Sequence, residues 1–214
     1  MNPIKSAVVC CLAFFLPAAA IAKEPSVRLL ADHVPADLGQ LCLVAGKKKS
    51  DPMSLPINSL SAAVVVPDRH FELRRIDGNE ALASVELPAK GREFVVMLSS
   101  IDTGFQAAVI PADDRSFKKG DVYLFNNSGE TIVGKVGGAE LEIENGKGIM
   151  LHPEAKDSET SYSVSFKVRE DSGERVLSNT SWPVEENMRS YVFFYVDPKR
   201  ERISFRSVDE FIGD

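Results

Sequence analysis

Cysteine is scarce in this sequence. Three cysteines occur among 214 residues, and Cys10 and Cys11 both lie within the first 22 residues. If that segment is removed, Cys42 is a lone thiol, and one thiol cannot close an internal disulfide. The mature chain is then no disulfide scaffold, and packing has to stabilise it. The apolar run around Cys42 (LCLV) indicates a small buried hydrophobe; an intermolecular disulfide or a reactive thiol is the alternative.

Motifs that carry catalysis or hold cofactors are also missing. The three histidines, His33, His70 and His152, are scattered, with no histidine or cysteine close by to complete a zinc site. There is no G-x-S-x-G nucleophile elbow and no calcium-binding D-x-D-x-D-G run. We therefore predict a protein that is not an enzyme and needs no cofactor or metal; a hydrolase with an unrecognised site around His70 or His152 remains a further hypothesis.

The charge balance is mildly acidic, with 31 Asp and Glu against 25 Lys and Arg, and the mean hydropathy is −0.08. The negative charge is spread along the chain, and the longest basic cluster is Lys47-Lys48-Lys49. Dispersed negative charge disfavours binding to nucleic acid or to anionic lipid, because both need concentrated positive charge.

The N-terminus has the three parts of a secretory signal peptide. Lys5 precedes an apolar run from Ala7 to Leu16, and Ala20 and Ala22 form an A-x-A cleavage motif. We predict a signal peptide over residues 1–22 and a mature chain that begins at Lys23; an uncleaved anchor is the alternative. No later run approaches the ~20 apolar residues of a membrane helix, so no span is predicted in the mature chain.

Alternation of apolar and polar residues dominates the mature chain. Tyr162, Val164, Phe166 and Val168 alternate with polar residues, which predicts a half-buried strand. Short strands of this kind, separated by turns such as Asn145-Gly146, predict an all-β fold. We expect an antiparallel two-sheet β-sandwich of about eleven or twelve strands.

Three continuously apolar runs predict central strands that are buried on both faces. These runs are Ala62–Val66, Phe94–Leu98 and Tyr191–Val196. We interpret residues 23–214 as one sandwich domain, and a division into two smaller β-domains near Ala112–Lys119 is the alternative.

Aromatic residues offer a candidate interaction surface. Trp182 is the single tryptophan, and it can act as a core anchor or as an exposed recognition residue. With Tyr191 or Tyr123 it would form a stacking surface for a sugar or another small ligand.

Four features together resemble a poorly characterised group of exported bacterial β-sandwich proteins. They are the signal peptide, the VRLLA start, the GDVYLFNNSG strand with its GKVGG hairpin, and the segment SWPVEENMRSYVFFYVDP. The resemblance implies an immunoglobulin-like sandwich exported to the periplasm or the cell surface. Some members of the group accompany type IV pilus-like assembly machinery, and the group implies no catalytic residues.

The leading functional hypothesis is a non-enzymatic exported protein that makes protein–protein contacts in a cell-envelope or pilus-like assembly. The expected location is the periplasm, the outer membrane or the cell surface. Its partners would be envelope or pilus-assembly proteins, or a second copy through an exposed sheet edge. The alternative is a module that binds carbohydrate or another small ligand.

Overall fold

The computed structural model describes residues 24–78, 80–113, 117–154, 159–197 and 200–213. In these ranges the protein is all-β, without a helix. The predicted signal peptide and its cleavage residues Ala20, Ala22 and Lys23 lie outside them. The strands are β1 (Ser26–Ala31), β2 (Leu41–Ala45), β3 (Lys48–Lys49), β4 (Val64–Val65), β5 (His70–Arg75), β6 (Ala81–Glu86), β7 (Glu93–Ile101), β8 (Gly104–Pro111), β9 (Val122–Asn127), β10 (Thr131–Val136), β11 (Ala139–Ile143), β12 (Gly148–Leu151), β13 (Ser161–Glu170), β14 (Gly173–Pro183), β15 (Met188–Asp197) and β16 (Arg202–Phe211).

The strands form four four-stranded sheets. The first half of the chain builds an outer N sheet (β3-β2-β5-β6) and an inner N sheet (β4-β1-β7-β8). The second half builds an inner C sheet (β12-β9-β15-β16) and an outer C sheet (β11-β10-β13-β14). Neighbouring strands are antiparallel, except that β1 and β9 run parallel to β7 and β15, respectively.

Each half encloses its own hydrophobic core. Leu29 of the inner N sheet and Leu73 of the outer N sheet belong to one buried cluster. Val192 of the inner C sheet and Phe166 of the outer C sheet belong to a second cluster. Each half is therefore a sandwich of two sheets whose facing sides are apolar.

The two halves repeat one topology. Adding eight to each strand number of the N sheets gives the strand order of the C sheets, including the parallel central pair. A bulge also recurs: Leu82 is skipped where β5 pairs with β6, and Leu177 is skipped where β13 pairs with β14. The halves are thus equivalent strand by strand, a repetition that is not evident in the amino-acid sequence.

A third apolar cluster joins the halves. Leu30 and Met97 on the inner N sheet pack with Phe125 and Phe193 on the inner C sheet. Arg206 adds polar contacts, because its Nη2 donates to the carbonyl oxygens of Ala31 and Asp32 at 2.6 and 2.7 Å. The four sheets therefore stack in the order outer N, inner N, inner C, outer C.

The all-β prediction is confirmed, and the alternating segment from Tyr162 to Val168 forms part of β13. The expected two sheets and eleven or twelve strands are wrong, because the described part of the chain forms four sheets and sixteen strands. Strands as short as β3 and β4, with two residues each, carry too little pattern to be recognised.

Two of the three apolar runs occupy the predicted central positions. Phe94–Leu98 is buried throughout, and Tyr191–Val196 is buried over its first four residues. Both lie in inner sheets, which are covered on both faces. The run Ala62–Val66 instead contributes the edge strand β4, where Val65 is 53% exposed.

Candidate docking groove

Two strands end their sheets on the same side of the C-terminal half. β14 is the last strand of the outer C sheet, and β16 is the last strand of the inner C sheet. Two cavities are each lined by residues of both strands. We call the space between β14 and β16 the edge groove.

The equivalent strands of the N-terminal half are in close contact. A Cβ on Gly104 of β8 would lie 2.1 Å from the carbonyl oxygen of Leu82, the bulged residue of β6. Only glycine permits this approach, and its φ of +137° is a conformation that other residues rarely adopt. β6 and β8 therefore touch at this point, beside a cavity of about 370 Å³ that Leu82, Gly104 and Phe105 also line.

Arginine replaces this glycine in the second half. Gly104 pairs with Ile101 at the start of β8, and Arg202 pairs with Asp197 at the start of β16. The bulged residue opposite is Leu177, the equivalent of Leu82. Because the Cβ of arginine would collide with a carbonyl at the Gly104 distance, β16 cannot approach β14 in the same way. Leu177 and Arg202 line a cavity of about 300 Å³ between the two strands.

The floor of the edge groove is apolar and aromatic. Leu177 and Phe205 are partly buried side chains that pack against the C-terminal core. The Phe166 ring contacts the rings of Phe205 and Trp182, with centroids 5.2 and 5.8 Å apart and edge-on geometry. On the rim, Val176 of β14 is an apolar side chain that is 61% exposed.

One end of the edge groove combines aromatic rings with negative charge. A cavity of about 190 Å³ is lined there by Tyr162, Trp182, Met188, Glu185 and Asp209, among others. Burial, and then the charges of Asp209 and Glu185, raise the pKa of Tyr162 to about 12. We call this cavity the aromatic pocket.

The opposite end is basic. Arg175, Arg200 and Arg202 line the second cavity together with Asp197. The Arg175 Nε forms an ion pair with Glu170 at 2.8 Å, and the Arg200 Nε lies 4.0 Å from Asp197. The edge groove thus has an acidic aromatic end and an arginine end.

The three aromatic residues singled out in the sequence are not brought together. Trp182 lies in the aromatic pocket, whereas Tyr191 and Tyr123 pack in the cluster between the halves. Tyr191 is fully buried, and its hydroxyl donates to Glu210, which is paired with Arg28. The prediction that Trp182 forms a stacking surface with either tyrosine is therefore wrong, because the inner C sheet separates Trp182 from both tyrosines.

The histidines form no cluster with one another. The His70 Nε2 lies 3.1 Å from the Ser84 Oγ in the N-terminal half, and the His152 Nδ1 is paired with Asp121 in the C-terminal half. Cys42 is a buried free thiol on β2. The described residues include no group of three or more His, Cys, Asp or Glu side chains placed to hold a metal ion.

A larger cavity lies where the two halves meet. It measures about 720 Å³ and is lined by Asp32, Asp102, Asn127 and Tyr195, among others. Asp32 is 5% exposed and accepts the backbone N–H groups of His33 and Ser100 at 2.6 and 2.9 Å. Burial raises the pKa of Asp32, and these hydrogen bonds and Arg206 oppose that effect.

The chain matches no family model and no curated protein. Across the described residues, no helix is long and apolar enough to cross a membrane. The edge groove is therefore interpreted from its own geometry.

The sequence points to Trp182 but not to the edge groove. Leu177 and Arg202 are unremarkable in sequence, and their importance appears only when their strand positions are compared with Leu82 and Gly104. A recognised repeat would have shown that a glycine of the first half is replaced by an arginine in the second.

Proposed function

We propose that this chain is a non-enzymatic exported protein of the bacterial cell envelope that binds an extended segment of another envelope protein in the edge groove. The observation that carries the proposal is the open edge between β14 and β16, where the close approach that Gly104 permits between β8 and β6 has no counterpart. We also propose that both sandwiches are of the immunoglobulin-like type and that the protein acts in an envelope or pilus-like assembly.

The edge groove suits an extended segment for a physical reason. Edge strands carry unpaired backbone N–H and C=O groups, which readily pair with an added strand. Alternate side chains of that strand would face Leu177 and Phe205 and would be removed from water. Backbone pairing supplies affinity in this mode, and the pockets at the two ends supply selectivity.

The charged residues at the two ends of the edge groove indicate which charged groups the bound segment carries. The two cavities contain acidic groups at one end and arginines at the other. From Ile203 to Asp209 the strand spans about 20 Å at ~3.3 Å per residue. A complementary segment therefore has a basic group and an acidic group about six residues apart.

In-cell photocrosslinking tests the proposal. We would place p-benzoylphenylalanine at Val176, on the rim of the edge groove, and at Glu140 on β11 as the matched control. Both residues are exposed on edge strands of the outer C sheet, but at opposite edges.

The expected result is a crosslink from Val176 to an envelope protein, mapped to one short segment, with none from Glu140. A synthetic peptide of that segment should compete for the crosslink and bind the purified protein. Equal crosslinking from both positions, or none from Val176 in cells that contain the folded protein, would overturn the proposal.

The cavity between the halves favours a second candidate function, the binding of a small polar ligand. Tyr195, Asp102 and Asn127 supply an aromatic ring with hydrogen-bonding groups, the combination that sugars require. A glycan array with wild type and Asn127→Ala tests it. Binding that depends on Asn127 supports this candidate, and an array without signal removes it.

A further inference from the structure

The aromatic pocket has features that backbone pairing alone does not require. It lies at the end of the edge groove and is lined by Tyr162 and Trp182, whose ring centroids are 6.4 Å apart with planes at 67°. The two rings thus form a corner, and the Met188 thioether provides a polarisable wall. The volume of about 190 Å³ has room for one long side chain.

The charged residues that line the aromatic pocket, among those described, are both acidic. Glu185 and Asp209 line it, and no Lys or Arg is among its described lining residues. Asp209 is held in place on the wall, because its Oδ1 accepts from the Ser190 Oγ at 2.7 Å and from the Ser207 Oγ at 3.3 Å.

The negative potential extends to the aromatic wall. Burial, and then the charges of Asp209 and Glu185, raise the pKa of Tyr162 to about 12, so these carboxylates disfavour a further negative charge at this phenol. The same negative potential that disfavours a phenolate would stabilise a cation in this pocket. Aromatic rings also attract cations through their electron-rich faces.

We propose that the aromatic pocket binds the alkylammonium group of a lysine side chain carried by the docked segment. The methylene stem would pack on Trp182 and Tyr162, and the ammonium would lie between the carboxylates of Glu185 and Asp209. This inference rests on the proposed function for the source of the lysine, but recognition of an alkylammonium is testable without any partner.

Trp182 is the only tryptophan in the chain, so its fluorescence reports on the aromatic pocket alone. The purified mature protein is titrated with Nα-acetyl-lysine methylamide and, in parallel, with the norleucine analogue, which has a similar stem without charge. Ionic strength is held constant with KCl. The same titrations use the peptide acetyl-KTVTVTE-amide and its norleucine counterpart.

We expect a saturable change in Trp182 emission with the lysine compounds and roughly tenfold weaker binding of their norleucine analogues. Asp209→Asn should weaken the lysine compounds several-fold and leave the norleucine peptide unchanged. Lys167→Met is the matched control. It breaks the ion pair of Lys167 with Glu174, which lies away from the aromatic pocket, and it should change the affinity for neither the lysine nor the norleucine compounds. Equal affinities for lysine and norleucine in the folded wild type, or no saturable response, would overturn the inference.

The two proposals fail separately. If Val176 crosslinks to a segment whose lysine can be replaced by norleucine without loss, the edge groove stands and the alkylammonium pocket falls. If the lysine compounds bind in the expected manner but Val176 captures no envelope protein, the pocket stands and the proposed function falls.

Discussion

Gly104 and Leu82 are in a contact that no other residue at position 104 can make, because a Cβ there would lie 2.1 Å from the Leu82 carbonyl oxygen. The contact brings β6 and β8 of the N-terminal sandwich together at this point. In the C-terminal half the same positions hold Arg202 and Leu177, and the edge is open. The two halves therefore differ at this pair of positions in how closely their edge strands approach.

Gly104→Ala should destabilise the protein by about 2 to 4 kcal/mol, since the added methyl meets backbone that cannot rotate away and φ is strained for alanine. Urea unfolding measures the effect. Gly138→Ala is the control, because nothing lies within 4 Å of its Cβ position and its φ is not in the left-handed region. Equal stability of wild type and Gly104→Ala would contradict the close approach.

Arg202→Gly should allow β16 to move towards β14 and narrow the edge groove. We expect slower amide hydrogen exchange in β14 and weaker binding of the acetyl-KTVTVTE-amide peptide. Arg200→Gly removes a neighbouring charge without restoring a glycine at the equivalent of position 104, and it should leave β14 exchange unchanged. Unchanged exchange in both variants would show that Arg202 does not hold the strands apart.

Glu210→Ala should weaken the packing of the two halves. Glu210 is 6% exposed, accepts from the Tyr191 hydroxyl at 2.6 Å and pairs with Arg28, so its loss leaves a partly buried cation and a buried hydroxyl without partners. We expect a loss of about 2 to 3 kcal/mol in the free energy of unfolding, measured by urea denaturation. Glu140→Ala, which breaks an exposed pair with Lys135, should cause no measurable change.

Asp32 should make stability fall as pH rises. Burial raises its folded pKa above 3.8, so the folded state holds this proton more tightly than the unfolded state does. The resulting contribution is fully present below pH 3.8 and is lost as pH rises through the folded pKa. Relative to wild type, Asp32→Asn should therefore gain stability from pH 3 to pH 7. Urea unfolding at several pH values measures this, and a constant difference would contradict the raised pKa.

The all-β fold could be predicted from the sequence because alternation is a local signal. The segment from Tyr162 to Val168 shows it directly and forms β13. The division into four sheets could not be predicted, because a strand such as Phe94–Leu98 has the same pattern whether a sheet or another chain covers its second face. Only the partner residues, such as Phe125 and Phe193, identify what covers it.

The repeat could not be recognised in the sequence because equivalent positions of the two halves occupy the same place in the fold but often hold different residue types. Val27 and Leu29 correspond to Val122 and Leu124, but Arg28 between the first pair corresponds to Tyr123 between the second. The candidate site was hidden for a related reason. Leu177 and Arg202 lie on different strands, and their separation depends on the register of both β-hairpins.

The parallel pairing at the centre of both inner sheets has a consequence for how the chain folds. The first strand of each half pairs with the seventh, so neither inner sheet can be completed until nearly the whole half has been synthesised. One face of the inner N sheet stays exposed to solvent for longer still, because Leu30 and Met97 are not covered until β15 is available. During this interval the partly folded chain exposes an apolar surface that is prone to aggregate. We expect a chaperone to bind there.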